Sequence, residues 1–104
     1  MSELWLPGAA GPLDRFVDGV HRQIAAYVER VGAPEAWVDV ELADGARFRL
    51  DSIDAQPGFG FVTLRPLPAE DVPDELIVPV AAIRRLELRR AEEEQGRVGF
   101  QLPT

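Results

Sequence analysis

Few residues in this chain carry the chemistry of a reaction. There is one histidine, His21, one tyrosine, two serines, two threonines and no cysteine. Nucleophilic catalysis needs a hydroxyl or thiol within reach of a base that is itself held by a third group. His21 instead lies at the edge of an apolar helical stripe, beside Val17 and Ile24, with no nucleophile spaced to meet it. Its expected role is packing. The lack of cysteine excludes disulfides, thiol catalysis and thiolate zinc sites, and a single histidine would leave a zinc cage to carboxylates or a second subunit. Asp51 with Asp54 would do acid–base work only in a cleft that raised one pKa, and the sequence shows no such cleft. Glu70, Asp71, Asp74 and Glu75 lack the glycine-centred spacing of a calcium loop and read as a solvated connection. The expectation is a protein without catalytic residues, metal or cofactor, and not an enzyme.

Three sets of residues suit binding instead. Arg84, Arg85, Arg89 and Arg90 form the basic cluster of the chain and suit an anion or RNA, although charges on an exposed strand also protect against edge aggregation. Phe59 and Phe61, if exposed, offer stacking faces for bases. Leu4, Trp5 and Leu6 form an apolar arm, and Gly19 and Ala26, one heptad apart on the back of a helix, permit the close approach of a second helix. The formal net charge of -7 opposes general binding to nucleic acid or to an anionic membrane, because both rest on positive field.

The elements that position these residues are legible from spacing. Pro12 suits the first turn of a helix, and Leu13, Phe16, Val17, Val20, Ile24, Tyr27, Val28 and Val31 recur at three- and four-residue steps. Gly32 and Pro34 end that helix, predicted over 12–31. The stretch Trp37 to Ile53 reads as a β-hairpin. A two-residue Asp44-Gly45 loop would set Leu42 against Arg47 and Val40 against Arg49, driving charges onto the apolar face. A three-residue loop with Gly45 in the left-handed region pairs Leu42 with Ala46, Val40 with Phe48 and Val38 with Leu50. Its outer face then opposes Glu41 to Arg47 and Asp39 to Arg49, each pair worth about 0.2–1 kcal/mol.

After a turn at 54–58, residues 59–65 read as a third strand and 66–75 as a proline-rich acidic loop. Residues 76–80 form a fourth strand bent by Pro79, 81–83 a tight turn and 84–90 a fifth strand with Leu86 and Leu88 facing in. Val98, Phe100 and Leu102 alternate as a short sixth strand able to pair with the Leu4 to Leu6 arm. The predicted organisation is a single domain over 1–104: an arm at 1–11, a helix at 12–31, a β unit at 37–90 and an extension at 91–104. All basic residues are arginine and asparagine is absent, a composition associated with GC-rich bacterial genomes. Met1 to Leu13 lacks the basic head of a signal peptide, and no run approaches the ~18 apolar residues of a membrane span. A cytoplasmic protein is expected.

A helix followed by Val38, Val40, Leu42, Asp44 and Gly45 in a Val-x-Val-x-Leu-x-Asp-Gly hairpin, a third strand, and a strand-turn-strand unit from Ile77 to Leu88 resembles the Sm-like and SH3-like small β-barrels. The resemblance spans Leu13 to Arg90. It implies a mainly β fold with an N-terminal α-helix and a small five- to six-stranded, strongly bent antiparallel barrel. It also implies assembly into rings through the fourth and fifth strands, with single-stranded RNA bound at loops facing the pore. The chain departs from that pattern where RNA is held. Its second strand has no internal glycine, Asp54 is followed by Ala55-Gln56-Pro57 with no asparagine, and the link between the last strands reads Pro79-Val80-Ala81-Ala82. The expected function is therefore a non-enzymatic, self-associating interaction module with an unidentified protein partner; the alternative is an Sm-like oligomer binding single-stranded RNA through its arginine strip. Pro79 and the charges on the fifth strand are expected to limit edge pairing and leave contacts to the helix or the apolar termini.

Overall fold

The computed structural model describes residues 12–91 and 99–103, with the backbone alone for 12–14. The arm residues Leu4, Trp5 and Leu6, and Val98, lie outside the described residues. Its elements run α1 (Pro12–Val31), β1 (Ala36–Leu42), β2 (Arg47–Gly58), β3 (Phe61–Pro66), β4 (Leu76–Pro79), a single 3-10 turn (Val80–Ala82) and β5 (Ile83–Arg90). The helix ends as the sequence predicts. Gly32 takes φ 72, which lets Gly32 N–H donate to the Glu29 carbonyl at 3.3 Å and Ala33 N–H to the Val28 carbonyl at 3.0 Å. Those two bonds satisfy carbonyls that a helix terminus otherwise leaves without partners.

The hairpin register is the one the charges demanded. Val38 stands opposite Leu50, Asp39 opposite Arg49, Val40 opposite Phe48 and Glu41 opposite Arg47. Gly45 sits at φ 95, and Leu42 N–H donates to the Ala46 carbonyl at 2.8 Å across the three-residue loop. The Asp44 carboxylate accepts from Ala46 N–H at 3.0 Å and braces the turn.

The strands form one antiparallel sheet in the order β4-β3-β2-β1-β5. The mainly β class with an N-terminal helix is as expected. The sheet has five strands and is not closed into a barrel, because β4 pairs with β3 and β5 pairs with β1 while the two edges do not pair with each other. Residues 99–103 are not a strand, so the expected sixth strand does not form among them. They are instead tied down irregularly: Gly99 N–H donates to Glu35 Oε1 at 2.7 Å, Phe100 N–H to the Ala36 carbonyl at 2.8 Å and Gln101 N–H to the Asp51 carbonyl at 2.7 Å.

β2 continues beyond the expected Ile53 to Gly58 and owes its shape to a register shift between Leu50 and Ser52. A bulge adds a residue and offsets the two-residue period. Leu50 and Ile53, three apart, therefore both reach the core, and the carbonyl of the extra residue, Asp51, is the one that Gln101 takes. The core joins Val17 and Ile24 of α1 to Val38, Val40, Leu50, Ile53, Val62 and Leu64 of the sheet, and Phe100 closes one end. Full burial of each such aliphatic side chain contributes about 1.5–3 kcal/mol. His21 lies half-buried with its ring 6.0 Å from that of Phe100, the packing role expected of it.

Gly99 packs tightly against the start of β1. A Cβ there would lie 2.5 Å from the Ala36 carbonyl oxygen and 2.9 Å from the Glu35 side chain. Gly99→Ala is expected to displace the segment and lower stability by about 1–3 kcal/mol, the usual cost of overpacking. Urea unfolding checks it; an unchanged midpoint would mean that the segment does not hold the fold.

Candidate functional site

The outer face of the sheet, away from α1, is built by the alternate residues that the hairpin register turns outward. Asp39 and Glu41 of β1 lie between Arg47 and Arg49 of β2 and Arg85, Glu87 and Arg89 of β5. Arg49 Nε donates to Asp39 Oδ1 at 2.9 Å, and Arg89 Nε donates to Asp39 Oδ2 at 3.1 Å. Arg85 Nη1 reaches Glu87 Oε2 at 2.8 Å and Arg89 Nη2 reaches Glu87 Oε1 at 3.3 Å. Glu41, expected to pair with Arg47, meets Arg84 at 3.3 Å and Arg85 at 3.7 Å, while Arg47 lies 3.9 Å from Glu87. Among the predicted anion contacts, Arg84, Arg85 and Arg89 are thus each paired with a carboxylate of their own face. Arg90 ends β5, exposed and opposite Ala36.

Trp37 also points to this face and is nevertheless buried, because the Arg49 guanidinium lies 4.1 Å over its ring. Its indole Nε1 finds no hydrogen-bond partner among the described residues. The arginine stacks on the ring and grips Asp39 at once, so packing and charge fix its position together. Burial pushes the Asp39 carboxyl up, and the hydrogen bonds and charges of Arg49, then Arg89, outweigh it and hold the pKa below the usual value. The more exposed Glu87 is also held low, chiefly by the hydrogen bond from Arg85.

Apolar surface gathers elsewhere. Phe59 is 99% exposed, Ile77 59% and Phe61 41%. Phe59 was expected to open the third strand, and it instead occupies the tip between β2 and β3. Gly58 pairs with Phe61, and both residues of the intervening loop have positive φ, 58 at Phe59 and 88 at Gly60. That is the signature of a type I′ hairpin turn, which favours Asn-Gly. The tip is held at its base by Val80 N–H donating to the Gly60 carbonyl at 2.8 Å and Thr63 Oγ1 donating to the Gln56 carbonyl at 2.8 Å.

A groove of about 480 Å³ runs between α1 and β5. Phe16, Gly19, Val20 and Ile24 line its helical side and Leu86 and Leu88 its strand side, with Arg15 and Gln23 also on the wall. Gly19, predicted on the back of the helix, lines this groove, and Ala26 is exposed. Spacing places Leu86 and Leu88 on the core face but does not show that the edge beside them is open. Asp54 lies 3.7 Å from Arg65, which also donates to Glu75 at 2.9 Å. Among the described residues no group of three or more His, Cys, Asp or Glu side chains is placed to hold a metal, and no helix is long and apolar enough to cross a membrane.

Set against known proteins, the chain matches no family model, no curated protein sequence and no solved structure.

The Asp39 cluster gives a pH dependence of definite sign. Its pKa is lower folded than unfolded, where a carboxylate titrates near about 3.9, so its contribution is present above that pH and is lost as pH falls through the folded value. Asp39→Asn is expected to lower stability at neutral pH and to flatten the acid limb, the two proteins converging below about pH 4. Urea unfolding across that range checks it; an equally steep acid limb in the variant would assign the dependence to other groups.

Proposed function

We propose that this chain is a non-enzymatic interaction module that associates with copies of itself, built as a divergent Sm-like small β unit. The order of elements supports the resemblance: a helix, a three-strand meander, then two strands joined by one 3-10 turn. The single observation that carries the function is Phe59. A side chain with φ 58 costs about 1 kcal/mol, and this one stands almost wholly in water. Asparagine would serve the turn better, so the free chain gains nothing from phenylalanine here. Where a sequence breaks a local rule with no return in the fold, the return is sought in binding. Phe61 and Ile77 extend the same apolar exposure.

The second reading, single-stranded RNA, draws on Phe59 and Phe61 as stacking faces. Against it stand the net charge of -7 and the carboxylates that already occupy Arg84, Arg85 and Arg89.

Phe59→Asn is expected to raise stability by up to about 1 kcal/mol while weakening association. Thermal unfolding and native mass by light scattering on the same samples check both. A monomeric wild type removes self-association from the reading, and a variant that associates as before removes the tip from it. A single-stranded RNA oligomer is expected not to bind at low salt; binding that falls steeply with salt would establish the alternative.

A further inference from the structure

The open edge of β5 and the groove beside it are set out by the same alternate residues. Ala91 N–H donates to the Glu35 carbonyl at 3.2 Å, in register with the pairs Trp37 with Arg89, Asp39 with Glu87 and Glu41 with Arg85. In an antiparallel ladder residues that exchange hydrogen bonds alternate with residues that do not. Leu86 and Leu88 therefore turn their N–H and C=O groups away from β1, toward the open edge. Their side chains line the groove beneath α1, and with Phe16 and Val20 they stay half-buried. Among the described residues, backbone groups and apolar side chains thus lack cover together, at two alternate positions of one strand.

A segment suited to this edge is extended and carries apolar residues at alternate positions. The chain holds such a segment in Leu4-Trp5-Leu6, shortly ahead of Pro12. α1 begins at Pro12, and Arg15 and Phe16, one turn further on, already stand on the wall of the groove. From Pro12 to Gly19 the helix rises about 10 Å, while the link Pro7-Gly8-Ala9-Ala10-Gly11 spans up to about 16–18 Å when extended. That link is long enough to turn back over the groove, and its glycines permit the turn. A tether this short holds its segment at an effective concentration of about a millimolar, which any free partner strand must outcompete.

From this we infer that the groove between α1 and β5 is the seat of the chain's own N-terminal arm, with Leu4-Trp5-Leu6 laid along the open edge of β5. Whichever way the arm runs, residues beside Leu86 and Leu88 project to the groove face, and the residue between them projects to the outer face. Leu4 and Leu6 then meet Phe16, Val20, Leu86 and Leu88. Trp5 stands beside Glu87, with Arg85 and Arg89 within reach on its diagonals. That face already accommodates one tryptophan beneath a guanidinium, since Arg49 lies 4.1 Å over the ring of Trp37. The opposite phase would set both leucines among the charges of the outer face. Pro7 has no N–H to offer and ends the pairing. The inference goes beyond the self-association proposed above: with β5 covered by its own chain, association is left to the Phe59 tip.

Amide hydrogen exchange on the full chain, read residue by residue by NMR, tests this seat. The N–H groups of Leu86 and Leu88 do not bond to β1, so their protection reports what covers the edge, while those of Glu87 and Arg89 report the fold itself. Leu86 and Leu88 are expected to exchange slowly in the native chain, at a rate independent of protein concentration. Two variants remove the contact from either side. One combines Leu4→Asp with Leu6→Asp, and the other is Gly19→Glu in the groove wall, where an added Cβ meets nothing within 4 Å. Each is expected to speed Leu86 and Leu88 by about 10-fold or more and to leave Glu87 and Arg89 unchanged. Free exchange at Leu86 and Leu88 in the native chain, or protection that survives either variant, overturns the inference. Acceleration shared equally by Glu87 and Arg89 assigns the arm to the fold as a whole and overturns it as well. Protection lost on dilution overturns it too, giving the seat to the arm of a second copy and leaving self-association standing. Phe59→Asn, which tests self-association by native mass, is expected to leave the exchange of Leu86 and Leu88 as it was.

Discussion

Gly45 sits at φ 95, in the region where a side chain is strained, and that one backbone state sets the register of β1 against β2. A strand slipped by one residue exchanges its faces. Here the slip would carry Arg47 and Arg49 of β2 into the layer that holds Val38 and Val40 and would turn Leu50 out to water. Much of the rest follows from this register. Asp39 is placed between Arg49 and Arg89, Trp37 is placed beneath Arg49, and β1 becomes the strand on which both β2 and β5 build.

The outer face shows how a strongly acidic chain accommodates its arginines. Arg49 is held between an aromatic face and a carboxylate, and Asp39 and Glu87 each bridge arginines from β2 and β5. Exposed pairs of this kind contribute little singly, about 0–1 kcal/mol each, but the shared carboxylates make a network across three strands. What it supplies is order among strands rather than a field reaching into solvent. A cluster that reads as an anion site in one dimension becomes, once β1 and β2 lie beside it, a surface that answers its own charge.

Sequence periodicity carried α1, its glycine stop and the first hairpin, because each depends on neighbours a few residues apart. It carried less where the chain leaves its period. The bulge between Leu50 and Ser52 puts Leu50 and Ile53 on one face at an odd spacing, so strict alternation stops at the point where β2 in fact continues. Gly58-Phe59-Gly60 reads from the sequence as the entry to a strand, and only the pairing of Gly58 with Phe61 shows that it is a turn. The groove was not legible at all. Leu86 and Leu88 were placed on the core face correctly, but whether a neighbouring strand covers them is a property of sheet order, which no local pattern encodes.

The same reasoning changes what the charges on β5 mean. Arginines on an edge strand guard against promiscuous pairing, and Pro79 shortens the ladder that β4 can offer. In an alternating strand, however, side chains on one face and backbone groups on one edge belong to the same set of residues. The charges of Arg85, Glu87 and Arg89 accompany backbone groups already spent on β1, while the groups left open belong to Leu86 and Leu88. Protection by charge therefore applies to the outer face of the strand more than to its edge.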